Sequence, residues 1–272
     1  MRILEKIIIR ILMKFNINQF NFGFTRYKDK SLYGKIHQKA KENISNEVTI
    51  FENKNGYKID EDYLSKLSLH TQVVVKKTPI NLNHGRVLYS LLRKYIEKRK
   101  NEFHTYNISI IETGTARGFS SICMSKALLD AGIDGNIYTI DILPHKTKMY
   151  WNVIDDFEGK KTRKELISFW NKENKKINFL TGKSLKILKN LSVDRINFAF
   201  LDSSHEFQIV NEEFEIIQNK QQKGDFLVFD DYSPNKYNGV VKVVNRVVQK
   251  NIYKVEFINI NDNRILVVCE KN

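Results

Sequence analysis

The sequence predicts an α/β fold: a seven-stranded doubly wound sheet, with five parallel strands and a C-terminal antiparallel hairpin, carrying an N-terminal helical extension. Three observations predict it. From about residue 106, apolar strand-like runs alternate with helix-length segments, the pattern of a parallel sheet covered on both faces. The last two runs, 253–260 and 264–271, are separated only by Asn261-Asp262-Asn263, which makes a hairpin and not a crossover. Acids also recur at strand ends: Glu112, Asp141, Asp202 and the pair Asp230-Asp231.

Along the chain, residues 2–15 place Arg2, Lys6, Arg10 and Lys14 four apart against a broad Ile/Leu/Met/Phe face, an amphipathic helix with one basic stripe. Two readings follow from it, a helix docked on the domain or a partner, and a helix lying on a membrane surface. Arg10 interrupts the apolar run and no small-residue cleavage site follows, which argues against a secretory leader. Residues 16–58 are rich in Asn, Lys and aromatics with weak periodicity, and read as a loosely structured arm. Segments 59–70 and 84–102 read as helices, the second with Leu88, Leu91, Leu92, Tyr95 and Ile96 on one face. Strands follow at 106–112, 136–141, 177–181, 195–202 and 225–231, with helices at 118–132, 161–173, 184–191, 206–221 and 238–250. The chain thus divides into a basic arm (1–58), a helical lid or cap (59–105) and a ligand-binding body (106–272).

The formal net charge is +14. Residues 1–41 hold ten Lys/Arg against Glu5 and Asp29, a net of +8, so residues 42–272 carry only +6 and the body is nearly balanced. That distribution disfavours nucleic acid as the partner of the body, although a basic arm could serve an RNA-modifying enzyme. Cys123 and Cys269 form no disulfide framework and no Cys-x-x-Cys zinc motif, which suits a reducing cytoplasm. No apolar run reaches the ~20 residues that span a bilayer.

The chemistry concentrates in Ile111-Glu112-Thr113-Gly114-Thr115-Ala116-Arg117-Gly118-Phe119-Ser120. A strand that breaks at Gly-x-x-x-Gly and re-enters a helix brings backbone N–H groups close to a ligand. A dinucleotide site would want a middle glycine and an acid about 20 residues on. Here Ala116 stands in the middle, and Asp141 follows Gly114 by 27 residues. Acids at successive strand ends suit a cofactor with a ribose and an amino-acid tail but no phosphate, namely S-adenosylmethionine. In this reading Glu112, Gly114, Thr115, Gly118, Ser120 and Asp141 form its site, Asp141 taking the ribose hydroxyls, and Ser184 after the third strand approaches adenine. Any one of these acids could instead be a helix cap or a solvated strand end.

Residues 106–271 resemble a class I S-adenosylmethionine-dependent methyltransferase. The likeness is to metal-dependent small-molecule O-methyltransferases of the catechol type and of the macrolide and aminocoumarin sugar type. It is carried by Glu112 to Ser120, Thr139-Ile140-Asp141, Phe200-Leu201-Asp202-Ser203-Ser204-His205 and Phe229-Asp230-Asp231-Tyr232. The resemblance implies that Asp202, Asp230 and Asp231 bind a divalent metal, Mg²⁺ by preference. Three converging carboxylates would repel one another unless protonated or bridged by a cation. Asp230-Asp231 also reads as an Asx turn before Ser233-Pro234. His205 stands where catechol-type relatives carry a lysine base; it reads either as the general base, with Asp202 as its catalytic neighbour, or as a cap on the next helix. The expected activity is metal-assisted O-methylation of a small hydroxylated molecule such as a sugar or glycan precursor. An RNA methyltransferase and a non-catalytic scaffold are the competing readings. The expected location is cytoplasmic, with peripheral membrane contact through residues 2–15 or homo-oligomerisation left open.

Overall fold

The computed structural model describes residues 29–76, 78–100, 107–261 and 264–272. The helix expected over 2–15, and with it the membrane-surface reading, lies outside the described residues. Among the described residues, no helix is long and apolar enough to cross a membrane.

The strands are β1 (Ile108–Thr113), β2 (Gly135–Asp141), β3 (Ile177–Thr181), β4 (Phe198–Leu201), β5 (Phe226–Tyr232), β6 (Tyr253–Asn261) and β7 (Arg264–Lys271). They form one seven-stranded sheet in the order β3-β2-β1-β4-β5-β7-β6. The first five are parallel, and β7 runs antiparallel to both β5 and β6. This is the expected sheet, with the expected hairpin.

Side chains on the central strands alternate strictly between two cores. Ile108 and Ile110, Phe198 and Phe200, Phe226 and Val228, and Leu266 and Val268 point to one face. Ile111, Ala199 and Leu201, Leu227 and Phe229, and Val267 and Cys269 point to the other. A period of two with both faces apolar is what a sheet covered on both sides requires. The first face is covered by α1 (Ser31–Glu42), α2 (Asn46–Asn55), α3 (Glu61–Thr71), α4 (Asn83–Arg99) and α5 (Phe119–Asp130). The segment after β2 adds the short helices α6 (Arg163–Leu166) and α7 (Asn171–Asn174). The second face is covered by α8 (Ser184–Asn190), α9 (Phe207–Gln218) and α10 (Asn238–Lys250). Helix α10 contributes Val240, Val243, Val244 and Val247, each worth about 1.5–3 kcal/mol when fully buried.

Two expectations need correction. The described part of the arm, residues 29–58, is not loose: it holds α1 and α2, with Tyr33, Val48 and Phe51 buried in the body. Its periodicity is weak because so few side chains anchor it. Caps and tertiary bonds add to those few anchors, such as the Ser45 hydroxyl that accepts from Val48 N–H and Asn83 Nδ2 donating to the Asn43 carbonyl. The single helix expected over 161–173 is broken into α6, a 3₁₀ turn at Ser168–Trp170, and α7. The Ile167 carbonyl accepts from Trp170 N–H at 3.1 Å and Asn174 Nδ2 at 2.8 Å, so the i to i+4 ladder does not pass through it.

The arm and the lid form one cover. His70 of α3 meets Asp155 at 2.7 Å, and Asn152 bridges the Tyr33 hydroxyl of α1 to the backbone of Val75. These bonds tie α1 and α3 to the loop after β2. That loop flanks the carboxyl ends of the parallel strands, where open α/β sheets bind ligands.

Candidate active site

The turn after β1 is built from three left-handed residues. Gly114, Ala116 and Gly118 have φ of 96°, 46° and 93°. A side chain on Gly114 would put its Cβ 2.1 Å from the Asp202 carbonyl oxygen, so the turn presses directly on the end of β4. The turn is also held from beneath. Glu112 is fully buried and accepts hydrogen bonds from the Ser120, Ser121 and Thr139 hydroxyls. The Thr139 hydroxyl hydrogen is directed at Glu112, so Thr115 donates to Thr139 across 2.6 Å. Burial pushes the Glu112 carboxyl up, against the three hydroxyls that favour its ionised form.

Glu112, Thr115 and Ser120 were expected to touch the cofactor. The structure engages their side chains under the turn, Ser120 donating to Glu112 and Thr115 meeting Thr139, because a buried carboxylate must be satisfied by whichever donors are near. These bonds brace the turn from beneath. The Ser184 hydroxyl turns to Glu213, a buried acid of α9 that also accepts from Ser203 at 2.7 Å and Thr113 at 3.2 Å.

Asp141 does reach the turn. Its carboxylate accepts from Ala116 N–H at 2.6 Å and Leu143 N–H at 2.8 Å, at the edge of the site. Arg163, buried beside it at 3.7 Å, donates to the Ala116 carbonyl at 2.8 Å and the Leu143 carbonyl at 3.2 Å. Arg163 thereby joins the turn to the loop after β2. Two buried imidazole nitrogens flank this region without a hydrogen-bond partner, His84 Nδ1 and His145 Nδ1. The His84 ring lies 4.9 Å from that of Phe119, and His145 stacks on Phe179 at 4.1 Å. Orphaned polar atoms around a glycine turn and a strand-end carboxylate fit a cofactor with a ribose and a nitrogen heterocycle. Trp151, in the loop after β2, is core: it is fully buried and donates Nε1–H to the Lys161 carbonyl at 2.7 Å.

The second half of the site is at the end of β5. The β5–β7 register slips between Phe229 and Tyr232, a bulge that re-aims the two residues between. Asp231 there adopts φ of 56°, outside the range a non-glycine residue prefers. Arg264, the first residue of β7, meets both acids: Nε lies 2.9 Å from Asp230 Oδ1 and 2.9 Å from Asp231 Oδ1, and a terminal nitrogen binds Asp230 Oδ2. His205 Nε2 lies 2.9 Å from Asp231 Oδ2, and its ring stacks on Tyr237 at 3.8 Å. His205 does not cap the following helix, whose N-terminus at Glu206 has no side-chain cap.

The electrostatics follow from this arrangement. Burial, and then the charges of Asp230 and Asp231, push the Asp202 carboxyl well above the usual carboxylate range. Burial also raises Asp230. Burial acts the same way on Asp231, but the His205 bond and the Arg264 charge outweigh it and hold that carboxyl low.

The expected metal ligands therefore do come together, but the donor set does not fit a divalent ion. Both oxygens of Asp230 and both of Asp231 are engaged by Arg264 and His205. Among the described residues, no group of three His, Cys, Asp or Glu side chains could hold a metal ion. The sequence reading missed Arg264, Arg163 and Glu213. The hairpin held a signal for the first, since an antiparallel β7 must begin beside the end of β5.

Residues 111–232 match the family model described as a methyltransferase domain. No curated protein matches the chain. Among solved structures, the O-methyltransferase TomG from Streptomyces achromogenes, involved in tomaymycin synthesis and bound to S-adenosylmethionine, is 16% identical with a TM-score of 0.54, covering 79% of this chain and 92% of that one. An O-methyltransferase from Bacillus cereus in complex with S-adenosylhomocysteine is 14% identical with a TM-score of 0.51, covering 89% of this chain and all of that one. At these identities the likeness is one of fold, and it agrees with the strand order found here. Residues 111–232, which include the glycine turn and the strand-end acids, are thus similar to a methyltransferase domain, and the sheet around them has the fold of the two solved O-methyltransferases.

Proposed function

We propose that the protein is an S-adenosylmethionine-dependent O-methyltransferase whose acceptor is a small hydroxylated molecule, such as a sugar or glycan precursor. The observation that carries the choice of oxygen is the Asp231–His205 pair at the edge of the site. The two solved structures described above are likewise named O-methyltransferases, which supports the choice.

S-adenosylmethionine, when bound, supplies an electrophilic methyl group whose bonding electrons return to sulfur as the methyl–oxygen bond forms. This chain's residues do the rest. Asp141, fixed by Ala116 and Leu143 N–H, keeps acceptor capacity for ribose hydroxyls at the edge of the turn. His145 and His84 offer unengaged ring nitrogens on either flank. A carboxylate can only accept, so His205 must donate Nε2–H to Asp231, which leaves the Nδ1 lone pair to take the proton of the acceptor hydroxyl. Asp231 fixes that tautomer and stabilises the imidazolium that forms, as carboxylates paired with histidine bases do. Tyr237 holds the ring plane.

Calorimetry with S-adenosylhomocysteine tests the cofactor half. The wild-type protein should bind it, and Asp141→Ala should weaken binding by about tenfold or more, the worth of charge-assisted hydrogen bonds. Absence of binding by the folded wild-type protein would sink the reading. Transfer of a labelled methyl group to a panel of sugars and catechols then tests the acceptor class.

A further inference from the structure

The family resemblance puts a divalent cation between the strand-end carboxylates, but here the chain brings its own cation to that place. We propose that Arg264 is a built-in counter-charge that substitutes for the divalent ion, so that the Asp230-Asp231 site excludes metal and works without it. The proposal rests on the O-methyltransferase reading of this same site.

Every oxygen a metal would need on the acidic pair has another partner. Asp230 Oδ1 receives Arg264 Nε at 2.9 Å and Asp231 N–H at 2.6 Å, and Asp230 Oδ2 receives the second guanidinium nitrogen. Asp231 Oδ1 faces Arg264 Nε at 2.9 Å, and Asp231 Oδ2 faces His205. A planar guanidinium matches a carboxylate bidentately, and it needs no water shell or octahedral space, as Mg²⁺ does. The Arg264 guanidinium keeps its charge despite burial because the two aspartates favour it.

The placement of Arg264 is built and not incidental. Asn261 and Arg264 pair at the closed end of the hairpin, and the neighbouring strand residues are tied to the helical cover. The Ile260 carbonyl accepts from Asn81 at 2.8 Å and Asn83 at 2.9 Å. Asn259 donates N–H to Glu47 at 2.7 Å and accepts from the Ser45 hydroxyl at 2.6 Å. The arm and lid thus fix the hairpin that presents Arg264 to the acids. In this arrangement Arg264 is a positioning residue. It neutralises the pair, holds Asp231 in place against His205, and leaves removal of the acceptor proton to the histidine alone.

The test is Mn²⁺ binding, followed by the loss of the free-ion electron paramagnetic resonance signal on the full-length protein after chelator treatment and dialysis. The wild-type protein should leave the signal unchanged, with or without S-adenosylhomocysteine. Arg264→Gln removes the charge and frees the carboxylates, so it should gain saturable Mn²⁺ binding that a second change, Asp230→Asn, removes. Arg264→Lys keeps a cation and should stay free of Mn²⁺. Saturable Mn²⁺ binding by the wild type that Asp230→Asn abolishes would overturn the proposal, as would a folded Arg264→Gln protein that binds none. Should Arg264→Gln fail to fold, the comparison of wild type with Asp230→Asn decides the matter by itself. The two readings fail separately: no S-adenosylhomocysteine binding sinks the cofactor assignment, whereas the Mn²⁺ result judges Arg264.

Discussion

Replacing Gly114 by alanine should do far more damage than replacing Gly118, although both glycines sit in one turn at nearly the same φ of 96° and 93°. A non-glycine residue in this region costs about 1–3 kcal/mol of backbone strain, and both variants incur it. They differ in what the new methyl group meets. At Gly118 the nearest atoms belong to Ile167 at 3.8 Å, an ordinary contact that adds nothing. At Gly114 the Cβ would lie 2.1 Å from the carbonyl oxygen and 2.6 Å from the carbonyl carbon of Asp202. Those are backbone atoms, so relief requires moving the turn off the end of β4, with about 1–3 kcal/mol more for the overpacking. Gly114→Ala should therefore lose about 2–6 kcal/mol against about 1–3 for Gly118→Ala. At about 2–4 °C per kcal/mol for a chain of this size, the first variant should melt several degrees below the second. Differential scanning calorimetry measures both, and S-adenosylhomocysteine titration should show the larger affinity loss in Gly114→Ala. Equal losses in the two variants would refute the claim that close approach to Asp202 is what demands glycine.

Two further outcomes follow from particular contacts. His205→Gln should lower kcat by about 10²–10⁴ while leaving S-adenosylhomocysteine affinity unchanged, as measured by steady-state kinetics beside calorimetry; a parallel loss of cofactor binding would count against the base role. Phe51→Ala should cost about 3–5 kcal/mol in denaturant unfolding, because its ring is buried in the main core and α2 is part of the body; a loss below about 1 kcal/mol would mean that the arm is detachable.

The parallel strands were legible because a strand buried on both faces must alternate Ile, Phe and Val between two cores, and that alternation lies within a few consecutive residues. The acids at the strand ends were legible for the same reason: a strand stops where its apolar run stops, and in a parallel sheet those ends share an edge. Helices α1 and α2 were not legible, since their hold on the body comes from scattered anchors such as Tyr33 and Phe51. The hydroxyl partners of Glu112 were not legible because they come from α5 and β2, and only the packed structure brings all three to its carboxylate. His205 could be read as base or cap from sequence; its meeting with Asp231, 26 residues away, resolves the geometry.

By itself, then, the sequence determined the sheet, the order of its layers and the edge at which chemistry would gather, since these depend on periodicities that neighbouring residues impose. Only the tertiary structure decided how the charge at that edge is balanced. Arg264 lies 34 residues from Asp230 along the chain and touches it because β7 folds back beside β5. Compensation of buried charge acts through space at a few ångströms, so no local pattern around Asp230-Asp231 could show whether a metal or a guanidinium would answer it.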